Sequence, residues 1–101
     1  MEQNELFAGA LSELKSGNAQ AAAELCEQSL SSHPGDANFL CLAGKAILAL
    51  KKFEVAEKHV EEAIRLFPDF ALAQETYGDI LLVQGMVSKA RTAFETAMRL
   101  D

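Results

Sequence analysis

The sequence repeats itself at a spacing of about 34 residues. When the chain is shifted against itself by that spacing, residues of the same type coincide without a gap, as Ala22, Ala56 and Ala90 do. A unit of this length is too small to bury its own apolar faces, so consecutive units must stack on one another. The other coinciding sets are Leu14, Leu48 and Leu82; Ala10, Gly44 and Gly78; Leu30, Ile64 and Met98; and Pro34 and Pro68.

Each unit is predicted to form two helices, A and B, joined by a tight turn. In the middle unit, Pro34 and Gly35 end one helix, and Asp36 supplies an N-cap for the next. Helix A is then predicted from about Ala37 to Ala49, and helix B from about Phe53 to Leu66.

The turn between helices A and B falls near Lys51-Lys52 in the middle unit. Gly17-Asn18 and Gly85 occupy the same turn in the outer units, where a left-handed backbone favours glycine. Gly44 and Gly78, together with the aligned alanines, are predicted to remove bulk where two helices pass closely. Met86, Met98 and the phenylalanines stand at core spacing and are predicted to be core residues.

Composition agrees with a folded helical domain. Half of the residues are apolar, whereas disordered chains combine low hydrophobicity with high net charge. We predict a single domain over residues 1–101, with repeats at about 3–36, 37–70 and 71–101, the last one truncated. Two pairs with a spacing of four residues on helix B of the middle unit, Glu54 with Lys58 and Glu61 with Arg65, are predicted to interact.

The net charge of −6 argues against nucleic acid as a partner, because phosphate backbones are bound by clustered Lys and Arg. Residues 1–36 hold six acidic residues and one basic residue, whereas residues 37–70 hold five of each. A basic or neutral partner is therefore expected at the N-terminal third.

The first five residues lack the basic start and apolar run of a signal peptide. No stretch approaches the roughly 18–20 uninterrupted apolar residues that span a bilayer. Cys26 and Cys41 form no Cys-x-x-Cys pattern and are predicted to be buried thiols, although a disulfide between them stays open. We therefore expect a cytoplasmic protein with no membrane partner.

No residue pattern predicts an enzyme, a metal site or a cofactor. His33 and His59 have no Cys or carboxylate at metal-ligand spacing, which favours structural roles. The serines lack the His and Asp arrangement of a catalytic triad. The glycines form no phosphate-binding loop.

The unit resembles the tetratricopeptide repeat over residues 3–101. Counted from Gln3, Ala37 and Ala71, the family pattern expects apolar or small residues at the fourth, seventh, eighth and eleventh positions. It continues with Ala at the twentieth and twenty-seventh, a bulky residue at the twenty-fourth and Pro at the thirty-second. The middle unit supplies Leu40, Ala43, Gly44, Ile47, Ala56, Val60, Ala63 and Pro68, and the third supplies Tyr77, Gly78, Leu81, Ala90, Phe94 and Ala97.

The first unit is degenerate, with Glu13 and Ser29 at positions that are usually apolar or small. HEAT and armadillo repeats fit less well, because their units run to roughly 40–47 residues. The resemblance implies an all-α, right-handed solenoid of three helix–turn–helix repeats, with about six antiparallel helices.

The resemblance also implies a concave wall built from the A helices. A helical wheel places the second, fifth and ninth positions of each helix A opposite the packing positions. The candidate groove residues are Asn4, Phe7, Leu11, Asn38, Cys41, Lys45, Leu72, Glu75 and Asp79.

Family members that bind the acidic tails of heat-shock chaperones carry Lys, Arg and Asn at several of these positions. This chain has Phe7 and Leu11 in the first unit and Glu75 and Asp79 in the third. We therefore predict that acidic chaperone tails do not bind. The expected partner is a protein or peptide with apolar anchors and a basic end near Glu75 and Asp79; the alternative is that these carboxylates are only solvated.

The third unit departs from the pattern at Gln74, and the sequence ends at Leu100-Asp101 without the polar helix that usually caps a solenoid. We expect the chain to be part of a longer protein. The leading function is a non-catalytic binding scaffold. One alternative is an N-terminal arm of a larger bacterial enzyme, such as a sulfotransferase or glycosyltransferase. The other is a module that self-associates as a homodimer through the uncapped third unit.

Overall fold

The computed structural model describes residues 2–101, and the regular structure in that range is entirely helical. This confirms the predicted all-α class, and the helices of the middle unit begin and end at the predicted residues. The six helices are α1 (Gln3–Lys15), α2 (Ala19–Ser32), α3 (Ala37–Ala49), α4 (Phe53–Leu66), α5 (Ala71–Val83) and α6 (Val87–Leu100).

The helices stack in chain order. Helices α1, α3 and α5 are the A helices of the three units, and each packs against the helix B that follows it. Each of α3 and α5 also packs against helices A and B of the preceding unit. Within residues 2–101 the first and third units do not contact each other at the backbone level. The result is an open solenoid with extents of 39 × 25 × 20 Å.

The turns between A and B helices repeat one backbone conformation. Gly17, Lys51 and Gly85 occupy the same position in successive units and have φ angles of +87°, +63° and +80°. Asp36 caps α3, because its side chain accepts hydrogen bonds from the backbone N–H groups of Asn38 and Phe39. The predicted turns and N-cap are therefore confirmed.

Two glycines permit the close approach of helices A and B within a unit. A Cβ atom on Gly44 would lie 2.5 Å from Cγ2 of Val60, and one on Gly78 would lie 2.6 Å from Cε1 of Phe94. Both separations are shorter than van der Waals contact. The prediction that these glycines remove bulk at a helix contact is therefore confirmed.

The first unit holds Ala10 and Cys26 at the positions of this glycine and its large partner, and both are fully buried. Cys26 and Cys41 are free buried thiols, as predicted. Burial raises the pKa of Cys26 to about 12, and the charge of Glu27 adds to the shift. Burial also raises the pKa of Cys41 to about 11, against the opposing effect of Lys45.

The degenerate first unit accommodates a polar residue in its interior. Ser29 is buried, and its hydroxyl oxygen accepts a hydrogen bond of 2.5 Å from Nε2 of Gln3. Among the described residues, no buried side-chain nitrogen or oxygen lacks a partner. Ser29 therefore avoids the cost of an unsatisfied buried hydroxyl.

The prediction that the methionines and phenylalanines are core residues is wrong for Met86, Met98 and Phe67, which are all exposed. Met98 lies on α6, which no described helix follows, whereas Phe67 and Met86 are the cap residues of α4 and α6 and lie beside the connecting turns.

The predicted pairs of Glu54 with Lys58 and of Glu61 with Arg65 are also wrong, since neither is among the ion pairs of residues 2–101. Arg65 binds Glu62 instead, through two hydrogen bonds of 2.8 and 2.6 Å.

The packing at Gly44 gives a first prediction. Gly44→Ala adds a methyl group against Val60, and overpacking of roughly 1–3 kcal/mol outweighs the roughly 1 kcal/mol gained in helix propensity. We expect a loss in the free energy of unfolding, measured by urea denaturation. Gly9→Ala is the control, because a Cβ there meets only Leu25 at 3.6 Å, and it should gain roughly 0.5–1 kcal/mol. Equal effects of the two variants would contradict the close approach.

The turn residue Lys51 gives a second prediction. A left-handed conformation costs a residue with a side chain roughly 1 kcal/mol relative to glycine, so Lys51→Gly is expected to raise the free energy of unfolding by about that amount. Gly85→Lys, the reverse exchange one unit later, is expected to lower it. Urea denaturation of both variants is the measurement, and a destabilised Lys51→Gly protein would refute the argument.

Candidate functional site

The nine predicted groove residues lie on α1, α3 and α5. Helix α3 packs between the other two, against both α1 and α5. They do not form one continuous surface. By exposure, Asn4, Asn38 and Glu75 are exposed, Phe7, Leu11, Lys45, Leu72 and Asp79 are half-buried, and Cys41 is buried.

Four of the nine residues line one cavity of about 450 Å³ between α1 and α3: Asn4, Phe7, Leu11 and Asn38. Its floor is aromatic, because the rings of Phe7 and Phe39 meet edge to face with centroids 5.3 Å apart. The amides of Asn4 and Asn38 stand at its exposed rim. The cavity thus combines an apolar floor with hydrogen-bonding groups that both donate and accept.

Three further predicted residues form a charged cluster on α3 and α5. Burial raises the pKa of Asp79, the neighbouring carboxylate of Glu75 raises it further, and Lys45 partly opposes the shift. Glu75 and Asp79 are four residues apart on α5, so their side chains share one face of the helix. Lys45 thus compensates for only one of two carboxylates, and this part of the wall is acidic.

Cys41 is a correction to the predicted groove, because the structure buries it completely. The contact of Phe7 with Phe39 shows that the fifth position of one helix A meets the third position of the next. The corresponding pair one unit later is Cys41 and Ala73, and both are 0% exposed. Cys41 therefore packs between repeats and does not present a surface to a partner.

Leu72 lies at the end of the predicted groove that faces the last helix. Together with Glu75 it lines a depression of about 410 Å³ that is shared with the last helix, where Phe94, Met98 and Asp101 form the opposite side. This depression opens at the end of the stack. The structure therefore divides the predicted groove into an apolar cavity, an acidic cluster and a terminal depression.

Sequence reasoning missed Gln3, Ala8, Asp36 and Phe39 as lining residues of the first cavity. The signal was present for Phe39, since it is an aromatic residue close to the start of a helix A. A wheel drawn for one helix cannot show that the third position of α3 contacts α1.

His59 connects the B helices of the first two units. Its Nε2 lies 3.0 Å from Oε1 of Glu27, and its Nδ1 lies 2.8 Å from the backbone carbonyl oxygen of Val55. This agrees with the structural role that the sequence favours for His59. Within residues 2–101, no group of three or more His, Cys, Asp or Glu side chains is arranged to hold a metal ion.

None of the six described helices is long and apolar enough to cross a membrane.

The family model for the tetratricopeptide repeat matches residues 7–57 and, in a second overlapping match, residues 41–101. Together the two matches extend through all three units. No curated protein matches this sequence.

Several solved structures share the fold. The second tetratricopeptide repeat domain of Spaghetti (RPAP3), bound to the HSP90 peptide SRMEEVD, has a TM-score of 0.84 at 24% identity, with 96% of this chain and 90% of that chain covered. A variant of the O-GlcNAc transferase of Thermobaculum terrenum has a TM-score of 0.88 at 24% identity, covering 96% of this chain and 19% of that chain. MamA from Desulfovibrio magneticus RS-1, from its residue 41 to the end, has a TM-score of 0.83 at 20% identity, covering 94% of this chain and 54% of that chain. At these identities the likeness shows the fold alone.

The acidic cluster gives a third prediction. Because the raised pKa of Asp79 means that the folded protein disfavours its charged form, Asp79→Asn should stabilise the protein at pH 7. We expect a gain of roughly 0.5 kcal/mol, the size of a like-charge i,i+4 pair. The folded wild type binds the Asp79 proton more tightly than the unfolded chain, so this group's destabilising effect disappears as the pH falls.

The difference between Asp79→Asn and wild type should therefore vanish below about pH 4, the ordinary pKa of an aspartate. Urea denaturation at several pH values measures it. Glu54→Gln, which removes the same charge from an exposed position on α4, is the control. A loss of stability at pH 7, or an effect equal to that of Glu54→Gln, would disprove the assignment.

Proposed function

The chain belongs to the tetratricopeptide repeat family, and we propose that it is a non-catalytic interaction scaffold that binds a peptide or a partner protein on its concave face. The single observation that carries the proposal is the cavity between α1 and α3, which has an aromatic floor and an amide rim. Concave sites that combine apolar surface with a few polar groups are the usual form of a ligand-binding site.

The geometry of this cavity favours an extended peptide. Phe7 and Leu11 offer apolar surface to one or two side chains of a ligand. The Asn4 and Asn38 amides can donate to carbonyl groups and accept from N–H groups of its backbone. Apolar anchors would therefore supply most of the affinity, and the two amides would fix the direction of the peptide.

The negative charge on α5 favours a ligand whose basic end lies over this helix. The two carboxylates of Glu75 and Asp79 carry more negative charge than the single positive charge of Lys45 compensates. A Lys or Arg of the ligand is therefore favoured there, and a carboxylate is repelled. The ligand we propose therefore differs from the HSP90 peptide SRMEEVD that is bound to the RPAP3 domain, whose final residues are mostly acidic. We infer that acidic chaperone tails are not ligands of this chain.

A second candidate role is that of a non-catalytic arm in a larger enzyme. In either role we expect the scaffold to act in the cytoplasm. The observation that favours this role is the likeness to the transferase of Thermobaculum terrenum, of which the matched region is only 19%. In that role residues 1–101 would be one part of a longer protein, and the same concave face would hold a partner or substrate near a catalytic domain.

Fluorescence anisotropy with two labelled peptides tests the proposed ligand. Both contain the segment Ser-Leu-Ser-Phe-Gly-Ser, and one ends in Lys-Arg-Lys, the other in Glu-Asp-Glu. We expect the basic peptide to bind roughly tenfold more tightly at low salt, and added NaCl to narrow the difference because screening weakens exposed charges.

The double variant Glu75→Lys, Asp79→Lys should lose or reverse this preference. Its matched control is Glu54→Lys, Glu95→Lys, which makes the same change of net charge at exposed positions on the B helices. Leu11→Ala should weaken both peptides alike. If the acidic peptide binds as tightly as the basic one, or if the control variant removes the preference equally, the proposed ligand is wrong.

A further inference from the structure

One side chain links the B helices of the first two units on the outer side of the solenoid. His59 on α4 and Glu27 on α2 meet with Nε2 3.0 Å from Oε1, and only 19% of the His59 side chain is exposed. Helix α3 packs against both α2 and α4, and its residues Leu40 and Ala43 are at most 5% exposed. The outer surface at this junction is therefore closed.

The same link is missing between the second and third units. One repeat later, Glu27 corresponds to Glu61 on α4, and His59 corresponds to Ala93 on α6. The methyl group of an alanine does not reach a carboxylate on a neighbouring helix. Glu61 takes part in neither of the two ion pairs within residues 2–101. The second junction thus keeps the carboxylate and lacks the imidazole.

A cavity of about 360 Å³ lies at Ala93, between α5 and α6. Gln74 and Tyr77 line it from α5, and both are half-buried. Their counterparts one repeat earlier are Leu40 and Ala43, which are buried. The second junction therefore has an open surface with hydrogen-bonding groups where the first has a closed apolar one.

Two carboxylates of α4 lie close to this cavity. Burial raises the pKa of Tyr77, and the charges of Glu57 and Glu61 raise it further, because both carboxylates are near the phenol group. Glu57 already accepts a hydrogen bond of 3.2 Å from Nε2 of Gln84. Glu61, the counterpart of the carboxylate that His59 binds, is left for a ligand.

The α6 side of the same cavity is basic. Lys89 lines it, and Arg99 donates from Nη2 to Oγ1 of the lining residue Thr96 at 3.2 Å. Lys89 comes four residues before Ala93 and Arg99 six residues after it, which is roughly 6 and 9 Å along the helix axis. A ligand in the cavity would therefore meet a carboxylate on one side and two cations on the other.

A guanidinium group suits the place of the missing imidazole. Its planar fork can donate two hydrogen bonds to the Glu61 carboxylate, and its face can stack on the ring of Tyr77. An ammonium group is a point charge and offers neither contact. Acidic residues beside the arginine would be attracted by Lys89 and Arg99, whereas further basic residues would be repelled.

We propose that this cavity binds an extended segment of a partner polypeptide in which one arginine is flanked by acidic residues. The arginine binds Glu61, as His59 binds Glu27 within the chain, and the flanking carboxylates face Lys89 and Arg99. The cavity shares no lining residue with the one between α1 and α3, so the inference is independent of the concave-face ligand. The run Lys-Arg-Lys of that ligand does not fit here, because its outer residues would face two cations.

Three peptides test the proposal in ¹H–¹⁵N titrations of the ¹⁵N-labelled chain. The first is Gly-Asp-Ser-Arg-Ser-Asp-Gly, the second has citrulline in place of arginine, and the third is Gly-Lys-Ser-Arg-Ser-Lys-Gly. The first should bind roughly fivefold more tightly than either of the others, the upper range for an exposed ion pair. We expect its shift changes at the amides of Tyr77, Thr92 and Ala93. The net charge of −6 favours the third peptide, so bulk charge cannot produce this order.

Two variants locate the contact. Ala93→His restores the imidazole that closes the first junction, so it should pair with Glu61 and weaken the first peptide roughly fivefold. Glu61→Gln should remove the difference between the arginine and citrulline peptides, and it does not endanger folding because Glu61 is exposed. Glu95→Gln is the matched control, since it removes the same charge at the equivalent exposed position one unit later, and it should change no affinity.

Equal binding of the arginine and citrulline peptides, or a preference that Glu61→Gln leaves unchanged, would overturn the proposal. The absence of saturable shift changes at the three amides would overturn it as well, and so would changes confined to α1 and α3. The double variant Glu75→Lys, Asp79→Lys should bind the first peptide as the wild type does. The concave-face ligand and this one can therefore fail separately.

Discussion

The structure depends on one steric pairing within each unit. The eighth position of the unit, in helix A, meets the twenty-fourth position, in helix B. Gly44 lies against Val60 and Gly78 against Phe94, with no room for a Cβ atom in either case. This pairing sets how closely the two helices of a unit approach, and therefore how each unit presents its outer side to the next. The stacking of the three units follows from its repetition along the chain.

Each helix A has more than one packed side, and this decides which residues remain for binding. One side meets its own helix B, and another meets the preceding unit, as Thr76 does near Gly44. The remaining side forms the wall that we propose as the binding surface, and its chemical character changes along the stack. It is apolar at Phe7 and Leu11 in the first unit and acidic at Glu75 and Asp79 in the third. A ligand with an apolar part and a basic part matches that gradient.

The elements set by local chemistry could be predicted from the sequence. The helix limits of the middle unit, the Asp36 cap and the left-handed turns depend on nearby residues alone. The errors concern contacts between units. Cys41 is buried against a neighbouring helix, which a wheel drawn for a single helix does not include. Met98 is exposed although it stands at core spacing, since periodicity does not show whether another helix covers a position. Neither the bond of His59 to Glu27 nor the pairing of Arg65 with Glu62 follows from sequence spacing, because side-chain conformation decides both.

The central claim is that the A-helix wall is the binding surface. Its most direct test is the ¹H–¹⁵N correlation spectrum of the labelled chain, recorded during titration with the peptide that ends in Lys-Arg-Lys. The account predicts shift changes at the amides of Phe7, Leu11 and Asn38 and, toward the basic end, at Glu75 and Asp79. The amides of α2 and α4 on the convex side should stay unchanged. Shift changes confined to the B helices would contradict the account.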